Sequence, residues 1–406
     1  MPSSDPEDKV TLSADRRTLA VAAGAHVLHD GYSDLLYVLL PVWRAEFGLG
    51  FAEVGFMRAL FSGAMAGFQV PAALLAERVG ARNVLALGAA IAGAGFVFAG
   101  VSGGIVSLAL ALCIGGFGGS AQHPVASSLV ARAYQGPRSR TALGAYNFSG
   151  DVGKMLFPAA TAGLLLLMPW RSAASLLAAT GLIAAAAIFF LLPAPASRQT
   201  AADAETAKPG TTGGAPARAA RGGFGLLLSI GVIDSATRMG FLTFLPFLLA
   251  AKGAGVATIG MALTLVFAGG AAGKLVCAYL GARFGVLRAV YLTEGLTAAG
   301  VLALLPLPLE AGLAILPLIG VALNGTSSVL YGTVPELVPA ERQERAFGLF
   351  YTGTIGSGAI APVLYGLFSD ALGVPSMMML VAAVVLLTLP LAWMLNPSLP
   401  QPAART

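Results

Sequence analysis

The sequence predicts an all-α membrane protein with twelve transmembrane helices in two six-helix bundles, and three observations carry that prediction. The chain of 406 residues is 57% hydrophobic and only 11% charged, with a mean hydropathy of +0.81. So much apolar surface exceeds what one water-soluble core can hold, and lipid is its solvent. At roughly 20 apolar residues per spanning helix, the length has room for about a dozen. Of the 24 Lys and Arg residues, 17 fall in every second gap between long apolar runs and three in the alternate gaps, the asymmetry left by basic loops that stay cytoplasmic. One segment rich in Pro, Ala, Gly and Thr divides the runs into six and six.

The elements follow in order. A tail over residues 1–18 carries Lys9, Arg16 and Arg17 behind Asp5, Glu7 and Asp8, which is not the basic-then-apolar order of a leader, so the first run, Leu19–Pro41, is expected to direct insertion itself. The second run, Glu53–Leu75, precedes Arg78 and Arg82. The third and fourth, Asn83–Val101 and Ile105–Ala133, are followed by Arg132, Arg138 and Arg140. The fifth and sixth, Ala142–Met168 and Ser172–Leu192, lead into residues 193–222, where Arg198, Lys208, Arg218 and Arg221 lie among Pro193, Pro195, Pro209 and Pro216. That composition forms no core and reads as a flexible cytoplasmic linker.

The second half repeats the order with Phe224–Ala250, Thr258–Leu280, Val286–Leu307, Ala311–Val334, Phe347–Phe368 and Pro375–Trp393. Arg283 and Arg288 follow its second run, Arg342 and Arg345 its fourth, and Arg405 lies in a tail over 396–406. The alternate gaps hold only Arg44, Arg171 and Lys252. The bundles are therefore expected over 19–192 and 223–395, with both termini cytoplasmic.

Trp43, Trp170 and Trp393 sit at run ends, where aromatic side chains anchor to the membrane interface. Cys113 and Cys277 each lie inside an apolar run and suggest neither a disulfide framework nor a thiolate metal site. The pI near 9.4 reports membrane orientation rather than nucleic-acid binding. The expected partners are the lipid bilayer and a small-molecule substrate, the expected state is a monomer, and the expected location is a bacterial inner membrane.

Two segments echo one another across the linker: Arg140–Pro158 and Arg345–Pro362 both open on a basic residue, continue through Gly and small residues, and close on proline. Repeated halves with substrate between them are a common plan for secondary transporters. The 52 glycines, including Gly115, Gly116, Gly118 and Gly119 in one run and Gly353, Gly356 and Gly358 in another, suit close helix approach, although membrane helices are generally rich in glycine.

The segment containing Ala73, Glu77, Arg78, Gly80 and Arg82 resembles the loop motif between helices two and three of the major facilitator superfamily, with Ala73 in place of its first Gly and Glu77 in place of its Asp. A second copy keeps Arg283 and Gly285 without the acid. His26, His29, Asp30 and Pro41 in the first run, and the fourth-run segment from His123-Pro124 through Ser127-Ser128 to Arg132, resemble the fosmidomycin-resistance branch of that superfamily. His29 stands where the branch has Asn, and Asp151 and Lys154 where small residues are expected. The resemblance implies the major facilitator fold, with helices 1, 2, 4, 5, 7, 8, 10 and 11 around a central cavity and 3, 6, 9 and 12 outside. Charges within the runs fall on 1, 2, 5, 7 and 8, with Glu294 on run nine as the exception.

Intramembrane charges are costly, so they mark function. His26, Asp30 and Asp34 recur every four residues along one face of the first helix, with His29 and Ser33 beside them. A histidine titrates near neutrality, and the four ionisable groups of this face are the candidates for proton coupling; the alternative is that one Asp caps a break or pairs permanently with Arg58. Arg58 suits an anionic group, which guanidinium holds bidentately, or serves as counter-ion to Asp30 or Asp34. Asp151 and Lys154, three apart, and Asp234 and Arg238, four apart, permit intrahelical ion pairs, either structural or opened by substrate or proton. Lys274 has no acid within one turn and needs an interhelical partner or a ligand, unless it reaches to the interface.

His123 precedes Pro124, which frees a carbonyl that the ring can bond. Asn324 and Tyr351, with Thr326, Ser327, Tyr331 and Thr354, can hydrogen-bond either a ligand or neighbouring helices. Glu77, Arg78 and Arg82 are expected to form a charge network that gates the cytoplasmic side. No metal site is expected, because only His26 and Asp30 have ligand spacing and no third partner is local.

These features predict a proton-coupled secondary transporter without other cofactors, working by alternating access. The branch resemblance favours an exporter, an antiporter of a small polar or anionic compound with a role in drug resistance, and the four buried cations are compatible with an anion. An uptake symporter for an organic anion is the alternative, followed by a membrane sensor or scaffold that keeps the fold without transporting. No intramembrane-protease, nucleophile-elbow, zincin or phosphate-loop motif is present in the sequence, so neither an enzyme nor an ATP-driven pump is expected.

Overall fold

In a computed structural model of the chain, residues 6–134, 137–192, 222–339 and 342–399 are described, and every regular element among them is helical. The first bundle comprises α1 (Pro6–Asp34, continuing as Leu36–Phe47), α2 (Phe51–Gly67 and Gln69–Val79), α3 (Ala81–Gly100), α4 (Ile105–Gly119, then Ser127–Ala133), α5 (Pro137–Leu167) and α6 (Trp170–Leu191). The second comprises α7 (Gly223–Ala251), α8 (Val256–Phe284), α9 (Val286–Leu304), α10 (Leu309–Leu337) and a helix assigned over Gln343–Leu386. That last helix divides at Gly373, where φ is +81°, into α11 before the break and α12 after it, with α12 continuing through Thr388–Leu395. Most of the linker expected over 193–222, and the outer parts of both tails, lie outside the described residues.

The interruptions have local causes. α1 is interrupted at Leu35, six residues before Pro41, which lacks the N–H that the Tyr37 carbonyl would accept. α4 carries a π turn over Gln122–Ala126, where Pro124 removes one rung of the ladder. α2 bends by 40° at Phe68. By length and hydropathy nine described helices qualify as membrane spans, ten with bent α2. The remaining two are α1, interrupted and bearing Asp30 and Asp34, and the helix broken at Gly373, which counts once.

Gly80 and Gly285, the glycines matched in the two motif copies, join α2 to α3 and α8 to α9 with φ of +92° and +84°, a conformation that a side chain disfavours. The same backbone turn in both halves bears on the internal repeat more directly than the residue similarity does.

The bundles meet at the end away from the termini. A side chain on Gly55 of α2 would overlap the Pro362 carbonyl of α11, so the two backbones touch. Thr264 of α8 donates to the Met155 carbonyl of α5 at 3.1 Å, and Tyr37 of α1 reaches the Met239 sulfur of α7 at 3.5 Å. Among the described residues, every hydrogen bond between bundles lies from this end to mid-membrane, whereas the Gln69–Val79 arm of α2 at the other end has no buried residue. The structure is therefore closed at one end and open at the end nearest the termini.

The three cations of the closed end are tied down. Arg171 pairs with Glu46 at 2.6 Å, Lys252 donates to the Leu305 and Leu307 carbonyls at 2.8 Å, and Arg44 lies 4.2 Å from the Phe51 ring centroid. The tryptophans divide differently from expectation. Trp43 is fully buried against Trp170, with ring centroids 6.1 Å apart, and only Trp393 is broadly exposed. Trp43 belongs to the core because α1 runs on past Pro41 beneath α6.

Candidate functional site

The four-residue spacing on α1 places His26 and Asp30 on one buried face, with His26 Nε2 3.5 Å from Asp30 Oδ1. His29, beside the stripe, also turns towards this oxygen, at 4.0 Å. The π turn of α4 brings His123 to the same point, 4.0 Å from Oδ1 and 3.2 Å from His29 Nε2. The chain has three histidines, and all of them gather on one carboxylate oxygen.

From α5, Lys154 approaches the other oxygen of Asp30, at 3.3 Å. Asp151, expected to pair with Lys154 within the helix, lies 3.8 Å from it. Its closer partner is Lys274 of α8, whose ammonium donates to both carboxylate oxygens at 2.6 and 2.7 Å. Lys274 thus finds the interhelical partner that its isolation demands, in the opposite bundle. The result is a chain of alternating charge, Asp30–Lys154–Asp151–Lys274, running from α1 through α5 to α8. The side chains of His123, Lys154 and Lys274 remain 43%, 30% and 39% exposed, so this chain borders the opening between the bundles.

Arg58 does not serve as counter-ion to Asp30, which Lys154 occupies. Its guanidinium instead donates to Ser62 at 2.7 Å and to the Tyr37 hydroxyl at 3.2 Å, and lies 5.0 Å from the Tyr37 ring centroid. Asp34 is buried, and among the described residues it has neither an ion pair nor a hydrogen-bond donor. In the second bundle, Asp234 makes no ion pair with Arg238 among the described residues. Asp234 and Glu294 of α9 are both buried, so the spacing of four on α7 does not by itself produce the expected pair. Glu294, from an expected outer helix, is fully buried and turned inward.

Other expected contacts lie apart from this centre. Asn324 bonds the Gly320 carbonyl of its own helix at 3.2 Å. Tyr351 is exposed at the open end, with its ring centroid 4.9 Å from that of Tyr331. Glu77 and Arg78 are exposed on the open-end arm of α2, and Arg82 lies 4.8 Å from the Phe189 ring centroid. No ion pair joins these three among the described residues, so the expected charge network is not formed in this structure. Tyr37 and the Tyr146 backbone carbonyl, which accepts from His26 Nδ1 at 2.8 Å, escape sequence reading because neither side chain is charged.

The expectation of no metal site rested on the lack of a third local ligand. α4 supplies one: the donor atoms of His26, Asp30 and His123 lie within 4.8 Å of one another.

Two six-helix bundles sealed at one end, with acids and lysines linked across the seam halfway along the helices, define a membrane transporter rather than an enzyme. A family model described as the Major Facilitator Superfamily matches residues 22–229 and 227–406. The chain belongs to that superfamily.

Its fold is similar to that of a bacterial homologue of the human lysosomal transporter Spinster, in an inward-facing and occupied conformation, with a TM-score of 0.79 at 16% identity over 99% of this chain and 100% of that one. The unoccupied inward-facing form of that homologue matches with the same TM-score at 15% identity and the same coverage. The fosmidomycin resistance protein of Escherichia coli (strain K12) is 28% identical over 134 residues, 33% of this chain. That alignment spans a third of the length of this curated relative.

Proposed function

We propose that this transporter is a proton-coupled exporter of small anionic compounds, an antiporter of the bacterial inner membrane with both termini in the cytoplasm. With the basic loops cytoplasmic, the open end faces the cytoplasm and the site awaits substrate from within. The observation that carries the reading is the ion pair between Lys274 and Asp151, which joins the bundles at mid-membrane beside Lys154. An anionic substrate competes with Asp151 for both ammonium groups, while a proton on Asp151 removes the charge that holds Lys274. Each event weakens the same bridge, and the bridge is a two-state element that both ligands bias. Asp34, buried and with no ion pair among the described residues, is the second acid assigned to the proton. The resemblance to a resistance protein supports outward transport.

The test is transport in everted vesicles from cells that make this chain, with an acidic lumen imposed and a panel of labelled phosphonates and carboxylates outside. Accumulation abolished by a protonophore is expected. Accumulation only in right-side-out vesicles with acid outside identifies an uptake symporter instead, and flux indifferent to the proton gradient rejects the coupling.

A further inference from the structure

The three histidines and Asp30 present more acceptors than donors. His26 Nδ1 donates to the Tyr146 carbonyl at 2.8 Å, which leaves Nε2 as the lone-pair nitrogen of the neutral ring. That nitrogen is buried, has no hydrogen-bond partner among the described residues, and faces Asp30 Oδ1 at 3.5 Å, beyond ordinary hydrogen-bond length. His123 Nε2 converges on the same oxygen, and its separation from His29 Nε2 is 3.2 Å. Such a set is satisfied by a cation at its centre.

The spacing approaches what one needs. Tetrahedral zinc with ligands about 2.0–2.1 Å away sets the ligand atoms roughly 3.3 Å apart; Asp30 Oδ1 lies 3.5 Å from His26 Nε2 and 4.0 Å from His123 Nε2, and all three atoms lie within 4.8 Å of one another, so small side-chain rotations close them on an ion. The carbonyl that fixes the His26 tautomer is the outer-shell partner that metal-bound imidazoles use. The Tyr146 ring stacks on His26 with centroids 4.2 Å apart, holding its plane. Gly150 completes the cradle: a side chain there would overlap Asp30 and the His26 ring. Lys154 approaches Oδ2 and leaves Oδ1 to the imidazoles. Imidazole nitrogen with a single carboxylate selects a first-row transition ion over Mg²⁺ or Ca²⁺, which demand oxygen.

We propose that His26 Nε2, His123 Nε2 and Asp30 Oδ1 form a binding site for a divalent transition-metal ion on the wall of the transport cavity, with His29 beside it. The site uses none of the acids assigned to the proton, Asp34 and Asp151, although Lys154 lies between Asp30 and Asp151.

Calorimetric titration of the purified, untagged, chelator-treated full chain with Zn²⁺ tests it. One saturable site per chain is expected, with no response to Mg²⁺, and Co²⁺ should give the intense visible absorption of a four-coordinate ion. His123→Ala and Asp30→Asn should each weaken Zn²⁺ binding at least tenfold. Asp34→Asn should leave it unchanged, so failure of the proton reading and failure of the metal site are told apart.

Because every histidine of the chain is in the cluster, Zn²⁺ should also slow diethyl pyrocarbonate modification of His123 in the wild-type protein, a readout that needs no variant. Absence of saturable binding in the wild type, undiminished affinity in both variants, or no protection of His123 would overturn the proposal.

Discussion

The carboxylate of Asp370, on α11, accepts the backbone N–H of Phe51, the first residue of α2, at 2.7 Å, and that of Ala52 at 2.8 Å. An acid of one bundle thereby caps a helix of the other, occupying N–H groups that a helix start leaves free and meeting the positive end of its dipole. Asp370→Ala should cost the closed end about 1–2 kcal/mol, a shift of roughly tenfold between the two states. Spin-label distances between Ala45→Cys and Ala371→Cys, in a chain lacking Cys113 and Cys277, should lengthen. An unchanged distribution removes this cap from the gate.

Gly55→Val is expected to act more strongly at the same end. The added side chain meets the Pro362 carbonyl, and a main-chain atom in a helix cannot swing aside. The variant should remain folded but hold the bundles apart there, so that an impermeant maleimide labels Ala371→Cys faster than in the parent. Equal labelling rates would show that the seam tolerates the extra bulk.

The bridge between Asp151 and Lys274 should behave as a coupled unit. Asp151→Asn and Lys274→Gln each leave one charge without its partner, whereas the double variant leaves neither. With Lys274 39% exposed on its side chain, solvent reduces the penalty below that of a fully buried pair, to about 1–3 kcal/mol per single change. Thermal melting in detergent should show the double variant less destabilised than the sum of the singles. Strict additivity argues that the pair contributes nothing.

Asp34→Asn should abolish accumulation against a gradient while leaving exchange of labelled for unlabelled substrate intact, because exchange needs the cavity but no net proton movement. The pH response of flux in the variant should shrink, with Asp151 carrying what remains. Concentrative transport at the wild-type level would withdraw the assignment of Asp34 to the proton.

The fold was legible because lipid imposes long apolar runs, and the placement of cations between them needs no tertiary contact to interpret. The stripe of His26, Asp30 and Asp34 was legible for the same reason, since helical periodicity is local. Partnerships were another matter. Lys274 plainly required a counter-ion, but nothing in its own helix points to Asp151, and the nearer candidate for Asp151 was Lys154. Asp234 has Arg238 four residues on, yet no ion pair joins them among the described residues, because rotamer and helix packing decide which neighbours meet. Asp370 reads as an ordinary acid at a run end, with its cap partner 319 residues earlier. His123 sits next to a proline whose π turn sets the direction of its ring, a rotation that residue spacing does not encode.

The direct passage from α11 to α12 at Gly373 leaves no slack chain at that corner of the molecule. When α11 tilts to release Phe51, its lipid-facing continuation has to swing too, and the surrounding acyl chains must deform with every cycle. Bilayer thickness then becomes part of the working load, and turnover in reconstituted membranes should rise and fall with lipid chain length even though no lipid touches the cargo.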